Sequence, residues 1–178
     1  LAAAAQARGL RLTIITNLIP PGYQIELSYA KPTSPYCPHP SRFNENAIRL
    51  LNEGSLFYVY VGHGKRTGCD TIQFKGQFFP ILEEEHVKEV RIGAARPIMV
   101  VIACNTGEFD AKTGDCLGEE LMKSPTGPVA FIGGSRVTQP YANALLGRTL
   151  VDAALASQPT VGEALFFGLP GNPVASML

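Results

Sequence analysis

Two residues of the 178-residue chain stand where side chains could do chemistry: His63, set between Gly62 and Gly64, and Cys104, at the end of the apolar run Ile98–Ile102. A thiolate attacks carbonyl carbon readily. A neighbouring imidazole can take the thiol proton and later return it to a leaving amine. Both residues are delivered in the same way, His63 by LFYVYVGHG (Leu56–Gly64) and Cys104 by IMVVIACNTG (Ile98–Gly107). Each run is β-favouring and apolar and then breaks into glycine or small polar residues, the pattern of a buried strand emptying into a loop. In a parallel sheet the carboxyl ends of strands share one edge, where ligands collect. The interval between the two residues suits a loop, a helix and a return strand. The amides of Gly64 and Cys104, uncovered by bulky neighbours, are candidate donors to an oxyanion.

The elements that must position this pair follow from the chain in order. LAAAAQARGL (Leu1–Leu10) reads as the end of an alanine-rich helix, and Leu12–Leu18 as a strand. Tyr23, Ile25, Leu27 and Tyr29 alternate with mostly polar residues, predicting a second strand that could close a hairpin across Pro20–Gly22. Ser41 is a plausible cap for a helix whose face carries Phe43, Ala47, Leu50 and Leu51, with Gly54 as its stop. From Lys65 to Pro80 the sequence is aperiodic and reads as a long loop beside His63. Leu82, Val87 and Val90 predict a short helix on which His86 is a solvated surface residue. Beyond Cys104 come a loop (Glu108–Gly114), a short helix (Leu117–Lys123), a strand (Val129–Ile132) and two further helices, over 145–154 and from Thr160 to Phe167. Strand and helix alternate, which predicts one domain over residues 1–178 with a mostly parallel central sheet and helices on both faces. The Ile98–Ile102 strand, apolar on both faces, belongs in the middle of that sheet.

Composition removes several classes of function. Lys plus Arg number 15 and Asp plus Glu 15, so no broad positive field draws the chain to nucleic acid. No apolar run reaches the length of a membrane span. The four cysteines are too scattered for a disulfide framework. Cys37 and His39 form a Cys-x-His pair, but no second close pair follows. PTSPYCPHP is therefore read as a proline-stiffened loop, with no metal and no cofactor expected. The chain opens on Leu1 in the midst of a helical pattern, as a piece of a longer protein would, and its oligomeric state is left open.

Five motifs in order carry a resemblance to a known family. YVGHG at Tyr60–Gly64, IACNTGEFD at Ile102–Asp110, CLGEELM at Cys116–Met122, GPVAFIGGSRVTQPYAN at Gly127–Asn143 and TVGEALF at Thr160–Phe166 resemble the catalytic domain of the gingipain family of cysteine peptidases. The resemblance implies a caspase-like α/β fold and a Cys/His dyad: Cys104 as nucleophile, His63 as base and acid, Gly64 and Cys104 amides as oxyanion donors, and protein or peptide as substrate. It also implies secretion or a place in the cell envelope. Lys65 and Arg66 stand where the family pattern has a small or hydroxyl residue, and the chain has no tryptophan, so side-chain specificity is not carried over. Glu108 and Asp110 are the acidic residues near enough in sequence to meet a basic substrate side chain.

Two other readings compete. A non-catalytic module of the same fold, serving as a binding or scaffold part of a larger envelope protein, would keep the motifs without turning over substrate. A cysteine amidotransferase would present its thiol in a G-x-C-x-G elbow with the histidine later in the chain. Here Ala103 precedes the cysteine and the histidine comes first, which argues against that class.

Overall fold

A computed structural model describes Ile19, residues 22–139, Tyr141, Ala142, residues 145–147 and Leu150. The chain divides into two compact units, Glu26–Thr138 and Leu1–Ile25 with Gln139–Leu178. Both His63 and Cys104 belong to Glu26–Thr138, as does every element from the turn at Pro40–Arg42 to the strand Ala130–Gly133.

A 3₁₀ turn at Pro40–Arg42 leads into helix α1, Phe43–Glu53. Phe43, Ala47, Ile48 and Leu51 fall on one face of α1 and are its buried residues. Ser41 does not cap this helix, contrary to expectation. Its hydroxyl is taken by the His39 ring at 2.8 Å, and Pro40 has already started a tighter turn ahead of the helix. Gly54 does end it, at φ +80°, where a Cβ would run into the Ala95 carbonyl.

Strand β1, Phe57–Val61, follows at once. Next come β2 (Gly64–Lys65), β3 (Gly68–Cys69), β4 (Thr71–Phe74) and β5 (Gln77–Pro80), paired as two antiparallel hairpins. The stretch expected to be a loop is thus largely β-structure. Lys75 and Gly76 both have positive φ, +49° and +78°, the geometry of a two-residue primed turn that matches strand twist. Ile72 is 3% exposed between outward-facing Thr71 and Gln73, so β4 has the period-two alternation after all.

A 3₁₀ helix covers Glu84–Glu89, its entry closed by a capping box in which the Glu83 amide donates to His86 Nδ1 at 3.1 Å. His86 is therefore not a solvated surface residue. Its side chain is 13% exposed and is spent on the cap. Strand β6 (Ile98–Ile102), helix α2 (Leu117–Lys123) and strand β7 (Ala130–Gly133) complete the unit, close to where the sequence pattern sets them.

The sheet is parallel, in the order β1-β6-β7, with β6 in the middle as its double-sided apolar pattern predicts. Met99, Val101 and Ala103 line one face against Phe43, Ile48 and Leu51 of α1 and Leu117 and Leu121 of α2. Met99 and Leu117 are wholly buried, each worth roughly 1.5–3 kcal/mol in removed apolar surface. This core fixes the carboxyl ends of β1 and β6. Tyr23–Tyr29 forms no strand; instead the Tyr29 amide donates to the Tyr36 carbonyl at 3.0 Å within a turn-rich segment. Tyr141, Ala142, residues 145–147 and Leu150 are helical. The expected opening helix, the Leu12–Leu18 strand and the Thr160–Phe167 helix lie outside the described residues.

Candidate active site

The two chemistry-bearing segments leave the sheet level with each other. Val61 pairs with Ile102 as the last rung of the β1/β6 ladder, and the Gly62 amide still donates to the Ile102 carbonyl at 3.2 Å. His63 and Cys104 each follow two residues after that rung, on adjacent parallel strands. Two close approaches then fix the His63 main chain. A Cβ at Gly62 would fall on the Tyr60 hydroxyl, and one at Gly64 would stand 2.7 Å from the Cys104 carbonyl oxygen and 2.8 Å from the Ala103 Cβ. The glycines flanking His63 are thus required by sterics: one admits a side chain of its own strand, the other the backbone of the cysteine segment. The His63 ring is exposed and makes no hydrogen bond among the described residues, Cys104 included.

Cys104 sits in a far more heavily bonded turn. Asn105 takes the left-handed conformation at φ +57°, which asparagine tolerates better than most residues, and so turns the chain sharply after the thiol. The turn is strapped to the loop after β7: Asn105 N–H donates to the Arg136 carbonyl at 3.1 Å and Gly107 N–H to the Gly134 carbonyl at 3.0 Å. Gly134 itself must lack a side chain, since a Cβ there would lie 2.6 Å from the Ala103 carbonyl.

The same loop reaches the sulfur. The Thr138 amide donates to Cys104 Sγ at 3.4 Å, the Thr138 hydroxyl lies 3.5 Å from it, and the Thr138 carbonyl is 3.8 Å away. The amide first, and the hydroxyl after it, hold the Cys104 thiol below its ordinary value. The other three cysteines move the opposite way. Burial raises Cys37 and Cys116, and pushes Cys69 up to about 12. Of the two candidate oxyanion donors, the Cys104 amide has no hydrogen-bond partner among the described residues, and Gly64 lies opposite Cys69 in the β2/β3 pair.

Glu108 and Asp110 both have partners inside the protein. Glu108 Oε2 accepts from Asn105 Nδ2 at 2.9 Å, and Asp110 accepts both arms of the Arg136 guanidinium, at 2.8 and 2.6 Å. That fork holds the Asp110 carboxyl below the usual carboxylate range. Lys65 reaches Glu83 at 2.6 Å, and Arg66 reaches the Asp115 carbonyl at 2.5 Å, so the two cations after the glycine-flanked histidine brace the hairpin region. Sequence reading missed Tyr60, Thr138 and Arg136. The glycines at 62, 64 and 134 were the available signal, for each marks a place where something comes close.

A parallel α/β sheet flanked by helices, with a thiol and an imidazole following adjacent strand ends, is the arrangement of a caspase-like cysteine peptidase fold. The chain belongs to peptidase family C25, the gingipain family, whose sequence pattern matches residues 6–169. Two solved structures are similar at 23% identity: the Arg specific cysteine proteinase gingipain R (RGPB), with a TM-score of 0.60, and the complex of Porphyromonas gingivalis RgpB pro- and mature domains, with a TM-score of 0.57. The matches cover 75% and 71% of this chain but only 31% and 30% of those chains. No curated protein matches the chain.

Proposed function

We propose that this chain is the catalytic part of a cysteine endopeptidase, with Cys104 as nucleophile and His63 as general base and acid. The observation that carries the reading is the close approach of the Gly64 and Cys104 segments, where β1 and β6 end level and a Cβ at Gly64 would stand 2.7 Å from the Cys104 carbonyl oxygen. In the proposed reaction, Cys104 Sγ attacks the scissile carbonyl carbon while its proton passes to His63, and the amides of Gly64 and Cys104 hold the resulting oxyanion. Collapse breaks the C–N bond, and His63 gives the proton to the departing amine. Water then attacks the thioester with His63 taking its proton. The acid product leaves and the thiol is restored.

The substrate is a protein or peptide. Asp110 would receive a basic substrate side chain only in competition with Arg136, whereas Glu108 has an uncharged partner in Asn105. Family membership supports a secreted or envelope-bound parent protein, and no helix among the described residues is long and apolar enough to cross a membrane. Purified chain should degrade an unstructured protein such as denatured casein, and Cys104→Ala should lower that rate by a factor on the order of a thousand or more. Equal rates for the two proteins would remove the proposal.

One observation favours a second reading, a non-catalytic module: the Cys104 sulfur is bonded to Thr138 and not to His63. That reading requires wild-type protein and Cys104→Ala to be equally inert while binding the same partner.

A further inference from the structure

We propose that Tyr60 is the positioning residue for His63, its hydroxyl pinning the His63 main chain to the neighbouring hairpins. The inference rests on the peptidase reading and deepens it by naming what holds the base. Tyr60 lies on β1 with its side chain packed against the core, and its hydroxyl donates to the His63 carbonyl at 2.9 Å. The same oxygen accepts from the Asp70 amide at 3.2 Å. Asp70 is itself fixed: its carbonyl accepts from the Ile81 amide at 3.0 Å and its carboxylate from the Thr71 amide at 2.8 Å. One oxygen therefore joins the end of β1 to the β4/β5 framework.

Gly62 completes the device, because any Cβ there would occupy the place of the hydroxyl. His63 needs such a hold from its main chain, since its exposed ring has no hydrogen bond of its own among the described residues. A base that wanders loses the near-attack geometry on which rate depends. Burial keeps the phenol protonated well beyond the ordinary tyrosine range, so the donor persists at any pH where the enzyme would work. Tyr60 has no reason to touch substrate. It acts through His63.

The experiment compares Tyr60→Phe with wild-type full chain in three measurements: steady-state cleavage of a peptide, amide hydrogen exchange over residues 62–64, and the rate at which iodoacetamide alkylates Cys104. Phenylalanine keeps the packing and removes only the hydroxyl. The expected result is a kcat lower by roughly tenfold at unchanged KM, with faster exchange over the 62–64 segment and an unchanged alkylation rate. Gly62→Ala, which displaces the hydroxyl without deleting it, should reproduce the kcat loss if Tyr60→Phe folds poorly. Wild-type kcat together with wild-type exchange in Tyr60→Phe would overturn the proposal, as would a change confined to KM. A wild-type chain that cleaves nothing would end the peptidase reading, and the exchange measurement alone would then decide whether Tyr60 holds the His63 segment.

Discussion

The two sides of the candidate site are held in opposite ways. The cysteine side is tied to the loop after β7 by two amides of its own that donate to loop carbonyls, by the Thr138 amide and hydroxyl at the sulfur, and by the Arg136–Asp110 fork. The histidine side has a ring with no hydrogen bond among the described residues, and its main chain is fixed by one ladder bond, one tyrosine hydroxyl and two steric brackets at glycine. A nucleophile gains from being set in one place with its thiolate favoured, whereas a proton shuttle must turn between the sulfur, a leaving amine and water. The asymmetry fits that division: the segment carrying His63 is fixed while its exposed ring makes no hydrogen bond among the described residues.

Among changes that leave the His63 and Cys104 side chains in place, the largest effect should come from disturbing the point where the two sides meet. Gly64→Ala puts a methyl 2.7 Å from the Cys104 carbonyl oxygen and 2.9 Å from Thr106 Cγ2, and neither a backbone oxygen nor a buried threonine can step aside cheaply. Overpacking of this kind costs about 2–3 kcal/mol, and the shift it forces between the two segments should lower cleavage by roughly a hundredfold. Thermal unfolding and steady-state kinetics read the two parts separately. Wild-type activity in Gly64→Ala would mean that the approach of the two main chains has no bearing on the chemistry.

How far this comparison could be read in advance depended on the range of the interactions. The strands carrying His63 and Cys104, the central place of β6, helix α2 and the stop at Gly54 follow from local periodicity and breakers, and each is found where the pattern sets it. The β4/β5 hairpin was missed because Lys75–Gly76 lacks the asparagine or aspartate that usually announces a primed turn, although glycine supplies half the requirement. The place of His86 has a similar cause: charged neighbours suggest solvent, but a ring nitrogen three residues into a helix can serve as its cap. The Thr138 contact to Cys104 spans 34 residues, and no local pattern of a threonine reveals which sulfur its amide will meet. Residue type and spacing single out the candidate pair, and the fold supplies the contacts that hold their segments.

A smaller effect should separate the cysteine side from the rest of the protein. Cys104 alone among the four cysteines has its thiol lowered, so iodoacetamide near neutral pH should label it first. Thr138→Val removes the hydroxyl, keeps the shape and leaves the amide bond in place. The apparent pKa of Cys104 alkylation should then rise, but not return to the ordinary thiol value, because the amide, the larger cause, remains. His63→Ala should leave that pKa nearly where it was, since no His63 nitrogen bonds the sulfur. Mass-spectrometric labelling against pH measures all three proteins. A larger rise in His63→Ala than in Thr138→Val would reverse the account and make histidine the principal partner of the resting thiol.

The smallest effect belongs to the Arg136–Asp110 fork. Asp110 and Arg136 are both exposed, and exposed pairs are screened by water and salt, so Asp110→Asn should barely change the unfolding midpoint. Its sign with pH is nevertheless defined. The Asp110 carboxyl is lowered by Arg136 in the folded chain, so the pair stabilises the fold above the ordinary aspartate value, and that contribution is lost as pH falls through the lowered folded value. Wild type should hold a slight advantage over Asp110→Asn at neutral pH and low salt, fading in high salt and again in acid. If activity toward a peptide with a basic side chain beside the scissile bond falls in Asp110→Asn while activity toward a neutral peptide does not, Asp110 is being shared between Arg136 and substrate. An equal fall for both peptides would leave it as a strap on the cysteine side alone.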